Sequence, residues 1–139
     1  MYALSMTQTL TTKLKIVSWD EQPTKQFDDG SKTTQAEVTL AEGTDGLTSG
    51  SSAMLLYYRP DGTSTYVSLM RVTATLEGRS GSFVLQGEGT FDGTSAVGST
   101  AIVAGSGTGD LAGITGTSHS TSTHADYPYM PLTLTYDLG

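Results

Sequence analysis

Apolar and polar residues alternate at every second position along nearly the whole chain. That period belongs to half-buried β-strands, because successive side chains of a strand point to opposite faces. The last segment, Pro131 to Leu138, sets Leu132, Leu134, Tyr136 and Leu138 against Thr133, Thr135 and Asp137. The first, Gln8 to Trp19, sets Leu10, Leu14 and Ile16 against Lys13 and Lys15. Between them lie Thr33–Ala41, Thr48–Arg59, Thr65–Glu77, Ser82–Phe91, Ser95–Ala104 and Asp110–Ser118. About eight such segments close into a barrel just wide enough for side chains or one small ligand. The expectation is an all-β, closed antiparallel barrel forming a single domain over residues 1–139. Thr and Ser make up roughly three residues in ten and suit strands, whereas the helix formers never recur at helical spacing over two turns. Almost no helix is predicted.

Turn chemistry divides the strands. Arg59-Pro60-Asp61-Gly62, Gly78-Arg79-Ser80-Gly81 and Phe91-Asp92-Gly93-Thr94 each read as a hairpin turn. A symmetric hairpin about Gly78–Gly81 pairs Glu77 with Ser82, Leu76 with Phe83, Ala74 with Leu85 and Arg71 with Glu88, the last as an ion pair. Tyr66, Met70, Val72, Leu76, Phe83, Leu85 and Phe91 then face inward, and Arg71, Thr73, Thr75, Gln86 and Glu88 face water. At Arg59–Gly62 a two-residue loop turns Leu55 and Tyr57 inward, while a three-residue loop with a glycine bulge turns in Met54, Leu56 and Tyr58. The bulge is preferred because Gly62 stands where that geometry needs positive φ. Ser118–Asp126 reads as a longer loop or a frayed edge. Pro128 and Pro131 fit a strand entrance or an edge, since neither can donate to a central ladder.

A formal net charge of −7 and scattered basic residues argue against nucleic acid, whose affinity comes from Lys and Arg on phosphates, and against anionic membranes. No apolar run approaches a membrane span, and Met1–Met6 is too short and polar for a signal peptide. The absence of cysteine excludes disulfides and thiolate metal sites. A cytoplasmic protein without cofactor is expected.

The runs Ser18-Trp19-Asp20-Glu21-Gln22-Pro23, Arg71-Val72-Thr73, Gly78-Arg79-Ser80-Gly81-Ser82-Phe83-Val84-Leu85-Gln86 and Gly105-Ser106-Gly107-Thr108-Gly109-Asp110-Leu111-Ala112-Gly113 resemble a bacterial family of unknown function with an allene oxide cyclase-like, calycin-like barrel. The Gly-Thr-Gly-x-Leu-x-Gly element also resembles one shared by allene oxide cyclases and dirigent proteins. The resemblance implies an antiparallel, often self-associating barrel with an apolar cavity, but no reaction, because fold alone does not carry function. The family pattern puts an acidic residue where Met70 stands and a histidine where Gly87 stands. Both replacements are non-titratable, which implies a drier and roomier cavity and weakens proton-transfer chemistry.

Other candidate sites are weaker. Gly105–Gly116 lacks the Lys-Ser/Thr of a phosphate loop and reads as a strand–bulge–strand corner. His119 and His124, with Asp126, match no metal spacing and read as surface loop, so no metal site is assigned. Trp19 reads as a plug of one barrel end; alternatively it lines the mouth with Glu21 at the rim. Glu37 reads as a solvated charge. The proposed lumen residues are Tyr66, Met70, Phe83, Leu85, Gly87, Tyr136, Trp19 and Tyr58, with Ser68, Ala74 and Gly87 leaving space. Three functions compete: a module binding a small hydrophobic molecule, an isomerase or cyclase steering a hydrophobic intermediate, and a filled structural barrel self-associating through an outer patch at Leu55 and Tyr57. The first ranks highest, with catalysis last.

Overall fold

The computed structural model describes residues 7–139; the reading of Met1–Met6 lies outside them. Eight strands run in chain order: β1 (Gln8–Gln26), β2 (Lys32–Ala41), β3 (Leu47–Tyr58), β4 (Ser64–Leu76), β5 (Arg79–Phe91), β6 (Ser95–Ile102), β7 (Thr115–Thr123) and β8 (Tyr129–Asp137). Each pairs antiparallel with the next, and β8 closes on β1, giving a closed barrel. The helical content of the described residues is one 3₁₀ turn, Gly109–Leu111.

Four hairpin turns lie at one end, here the upper end, and three of them repeat one device. Asp29-Gly30-Ser31, Asp61-Gly62-Thr63 and Asp92-Gly93-Thr94 each use the Asp Oδ1 to accept from the backbone N–H and the hydroxyl two residues on. The aspartate replaces backbone partners that a tight turn cannot supply. At the second turn Arg59 N–H donates to the Thr63 carbonyl around a three-residue loop, with Gly62 at φ 89°. That is the glycine-bulge geometry, and it turns Met54, Leu56 and Tyr58 inward.

At the lower end the β4–β5 turn falls earlier than the glycine spacing suggested. Glu77 (φ 52°) and Gly78 (φ 78°) are the two loop residues, and Leu76 pairs with Arg79. Met70 therefore faces Leu85, Val72 faces Phe83 and Arg71 faces Val84. The shift is an even number of residues, so the inward set is unchanged, as strand parity requires. The expected Arg71–Glu88 pair does not form; Arg71 donates to Ser82 Oγ at 3.2 Å instead.

Three further expectations are corrected. The first strand does not end at Trp19: a bulge at Val17 lets it continue to Gln26, with Trp19 opposite Val38 and Glu21 opposite Ala36. Gly105–Gly116 is no strand corner, because residues 103–114 fold across the lower end and drive Leu111 and Ile114 into the core. Thr108 N–H donates to the Ser82 carbonyl at 2.8 Å, and Ser106 Oγ accepts from Val84 N–H at 3.0 Å, covering the edge of β5 below β6. His119 belongs to β7, not to a loop, while His124 lies in the turn beyond it.

Pro131 sits within β8 opposite Lys13, yet at a local edge. Pairing of β7 with β8 stops at His119–Thr133, and the Ser120 hydroxyl takes the Pro131 carbonyl at 2.6 Å.

Candidate functional site

Inward side-chain size divides the barrel in two. The lower half carries Leu14, Leu47, Leu76, Phe83, Leu85, Leu111, Ile114, Leu134 and Tyr136, all buried in one cluster. The upper half carries Ser64, Ser68, Ala96, Gly98, Ser118, Ser120 and Ser122 at corresponding inward positions. A ring of fixed diameter filled by such small residues cannot close at its axis. The result is a cavity of about 360 Å³ running from the upper mouth to Met70, Leu40 and Leu132. At roughly 30 Å³ per molecule that is the space of about a dozen waters. It falls within the range of small-molecule pockets, near its lower limit.

The cavity has two unlike walls. Strands β8, β1, β2 and β3 contribute mostly hydrocarbon and thioether: Met130, Leu132, Ile16, Val38, Leu40, Met54 and Leu56. Strands β4, β6 and β7 contribute hydroxyls: Ser64, Tyr66, Ser68, Thr100, Ser118, Ser120 and Ser122. The interior is therefore less dry than non-titratable residues at positions 70 and 87 alone imply. Thr100 Oγ1 is buried without a hydrogen-bond partner among the described residues, a state that costs about 1–3 kcal/mol. Glu88 contributes backbone to the wall but is exposed, because its neighbours Gly87 and Gly89 take the inward positions.

Tyr66 is placed by two glycines. Its ring covers Gly89, its cross-strand partner, and its hydroxyl reaches Gly98 on the next strand. An aromatic ring laid over strand glycines repairs the packing those glycines forfeit. Burial pushes the Tyr66 phenol above its ordinary range.

A second polar group guards the mouth. Glu21 accepts from Trp19 Nε1 at 2.9 Å, Thr34 Oγ1 at 2.7 Å and Tyr58 Oη at 2.7 Å. Burial pulls its pKa upward, but the hydrogen bonds from Tyr58, Thr34 and Trp19, together with the Lys32 charge, outweigh it and hold the carboxylate below its usual range. Burial first, then the bond and charge of Glu21, push Tyr58 up to about 12. Trp19, 47% exposed and lining the cavity, is a rim residue and not a plug.

Of the eight proposed lumen residues, Trp19, Tyr58, Tyr66 and Met70 line the cavity. Phe83, Leu85 and Tyr136 point inward but belong to the packed half. Gly87 does not line the cavity; it stands where the β6 backbone comes close, and a Cβ there would stand 2.0 Å from the Ser99 carbonyl oxygen. Of the space-leaving residues, Ser68 borders the cavity while Ala74 is packed below it. Glu37 is exposed on the outer face, as read. His119 accepts or donates at Ser99 Oγ, 3.0 Å away on that same face. His124 meets Phe91 edge-on at 6.3 Å. No group of three His, Cys, Asp or Glu is arranged to hold a metal among the described residues. Alternation in the sequence reveals neither the Glu21 network nor the hydroxyl wall; the rim position of Glu21 agrees with one of the two alternatives for Trp19.

A family model described as protein of unknown function, DUF3224, matches residues 10–136. The chain belongs to the DUF3224 family. The crystal structure of a DUF3224 protein of unknown function from Shewanella oneidensis MR-1 superposes with a TM-score of 0.71 at 21% identity, covering 94% of this chain and 97% of that one. At that identity the likeness establishes the DUF3224 fold alone. No curated protein matches the chain. No helix among the described residues is long and apolar enough to cross a membrane.

Proposed function

We propose that this DUF3224 protein holds a small hydrophobic molecule in the hollow half of its barrel. The observation that carries the reading is the cavity of about 360 Å³ with a thioether and hydrocarbon wall, above a lower half that is fully packed. Burying apolar ligand surface yields roughly 25 cal/mol per Å², and methionines such as Met54, Met70 and Met130 adapt to varied shapes. The isomerase or cyclase alternative draws less support, since no histidine lines the lumen among the described residues and the carboxylate at its mouth, Glu21, is engaged by Trp19, Thr34 and Tyr58. In this reading the protein works in the cytoplasm, away from nucleic acid and membranes, consistent with its net charge of −7.

The test is thermal-shift and native mass spectrometry screening with aromatic and aliphatic probes, on the native chain and on Ser68→Phe. Probes should raise the unfolding temperature of the native chain and lose that effect when the phenyl ring fills the lumen. Equal shifts in both proteins would contradict lumenal binding.

Self-association is a second reading with its own observation. Leu55, Val67 and Leu69 are 58%, 50% and 51% exposed, and they are adjacent, with Leu55 opposite Val67 and Leu69 opposite Ala53. Contiguous exposed apolar area of this kind often covers itself with a second copy. Light scattering should report an oligomer that Leu69→Glu disperses; a strict monomer would remove this reading.

A further inference from the structure

The hydroxyl wall specifies more than an apolar guest. We infer that the lumen selects an uncharged molecule carrying one oxygen function, a ketone, ester or alcohol, and that Tyr66 Oη binds this oxygen. The inference rests on lumenal binding and adds the ligand's chemical class.

Three observations support it. Tyr66 Oη finds no partner among the described residues, although the ring is fixed over Gly89 and Gly98. Its surroundings on the same face are hydroxyl-bearing: Thr100 lies two residues beyond Gly98, Ser120 stands opposite Gly98 and Ser118 opposite Thr100. A phenol so fixed is a preorganised donor, and a donor in a low-dielectric site gains most from an acceptor that replaces lost water. The opposite wall, with Met54, Leu56 and Leu132, offers mainly apolar contact to the rest of the molecule.

Charge sets the remaining condition. No Lys, Arg or His borders the cavity among the described residues, and at its mouth the Lys32 charge is already answered by the Glu21 carboxylate. A ligand carboxylate would be desolvated there without a counter-charge, which is strongly unfavourable. A hydrocarbon would enter but leave the phenol unpaired. A neutral oxygen satisfies both conditions.

The experiment compares three probes of equal chain length, decane, methyl octyl ketone and decanoate, by calorimetry or competition at neutral pH. The ketone should bind more tightly than decane by about threefold to tenfold, the range of one net hydrogen bond, and decanoate should bind weakest. Tyr66→Phe, which keeps the ring over the glycines, should erase the ketone's advantage over decane: the ketone loses its hydrogen bond, and decane, no longer set against an unpaired phenol, binds at least as tightly as before. Ser118→Ala serves as a second variant that lowers the same advantage should Tyr66→Phe unfold. Equal affinity for all three probes, or a ketone preference that survives in folded Tyr66→Phe, overturns the inference while leaving lumenal binding intact. Failure of every probe to bind overturns both.

Discussion

The Tyr66 phenol and Gly89 occupy one place in the wall: a Cβ on Gly89 would stand 2.2 Å from Tyr66 Oη and 2.6 Å from the Val97 carbonyl oxygen. The upper half of the barrel depends on this pairing, because the phenol end of Tyr66 packs into the places where Gly89 and Gly98 carry no side chain. Gly89→Ala should therefore destabilise the fold by about 1–3 kcal/mol, the usual consequence of overpacking. Urea unfolding measures the loss. Tyr66→Ala in the same chain should recover part of it, since the ring accounts for only part of the clash.

Thr100 supplies a prediction of opposite sign. Its buried Oγ1 has no partner, and replacing an unsatisfied hydroxyl by a methyl group of like shape removes a desolvation cost. Thr100→Val should stabilise the ligand-free protein by about 1 kcal/mol. A lower urea midpoint for this variant would show that the hydroxyl is satisfied in solution.

The mouth network makes stability depend on pH at both extremes. Glu21 has a lowered pKa in the folded state, so its contribution is present above the unfolded carboxyl value and is lost as pH falls through the folded one. Tyr58 has its pKa raised to about 12, so its contribution is complete below the unfolded phenol value near 10 and is lost as pH rises toward 12. Tyr58→Phe should reduce the alkaline loss and remove the tyrosine that titrates near 12 from an absorbance titration. Trp19 is the single tryptophan and donates to Glu21. Its fluorescence should therefore change as Glu21 protonates in acid and stay constant over that range in Glu21→Gln.

Much of the fold was legible because strand parity is robust. Met70, Phe83 and Leu85 point inward even though the β4–β5 turn was misplaced, since an even slip keeps every side chain on its face. The turn itself was hidden by Glu77, a non-glycine residue at positive φ, while two glycines nearby advertised a different loop. The extension of β1 past Trp19 was hidden by the Val17 bulge, which interrupts the alternation. The site was less legible for a geometric reason. Serines 64, 68, 118 and 122 are scattered in the chain and become one wall only when β4 and β7 close into the same ring. Which inward residues fill the axis also depends on height along the barrel, and alternation carries no information about height.

The asymmetry between packed and hollow halves underlies every functional statement, and one pair of variants measures it. Ala74 and Ala96 both point inward, the first fully buried in the lower half and the second bordering the cavity. Urea unfolding of Ala74→Leu should reveal a loss of about 1–3 kcal/mol or more from overpacking, whereas Ala96→Leu should leave stability unchanged or raise it. A comparable loss in both variants would mean that the upper half is as tightly filled as the lower, and that the barrel encloses no room for a guest.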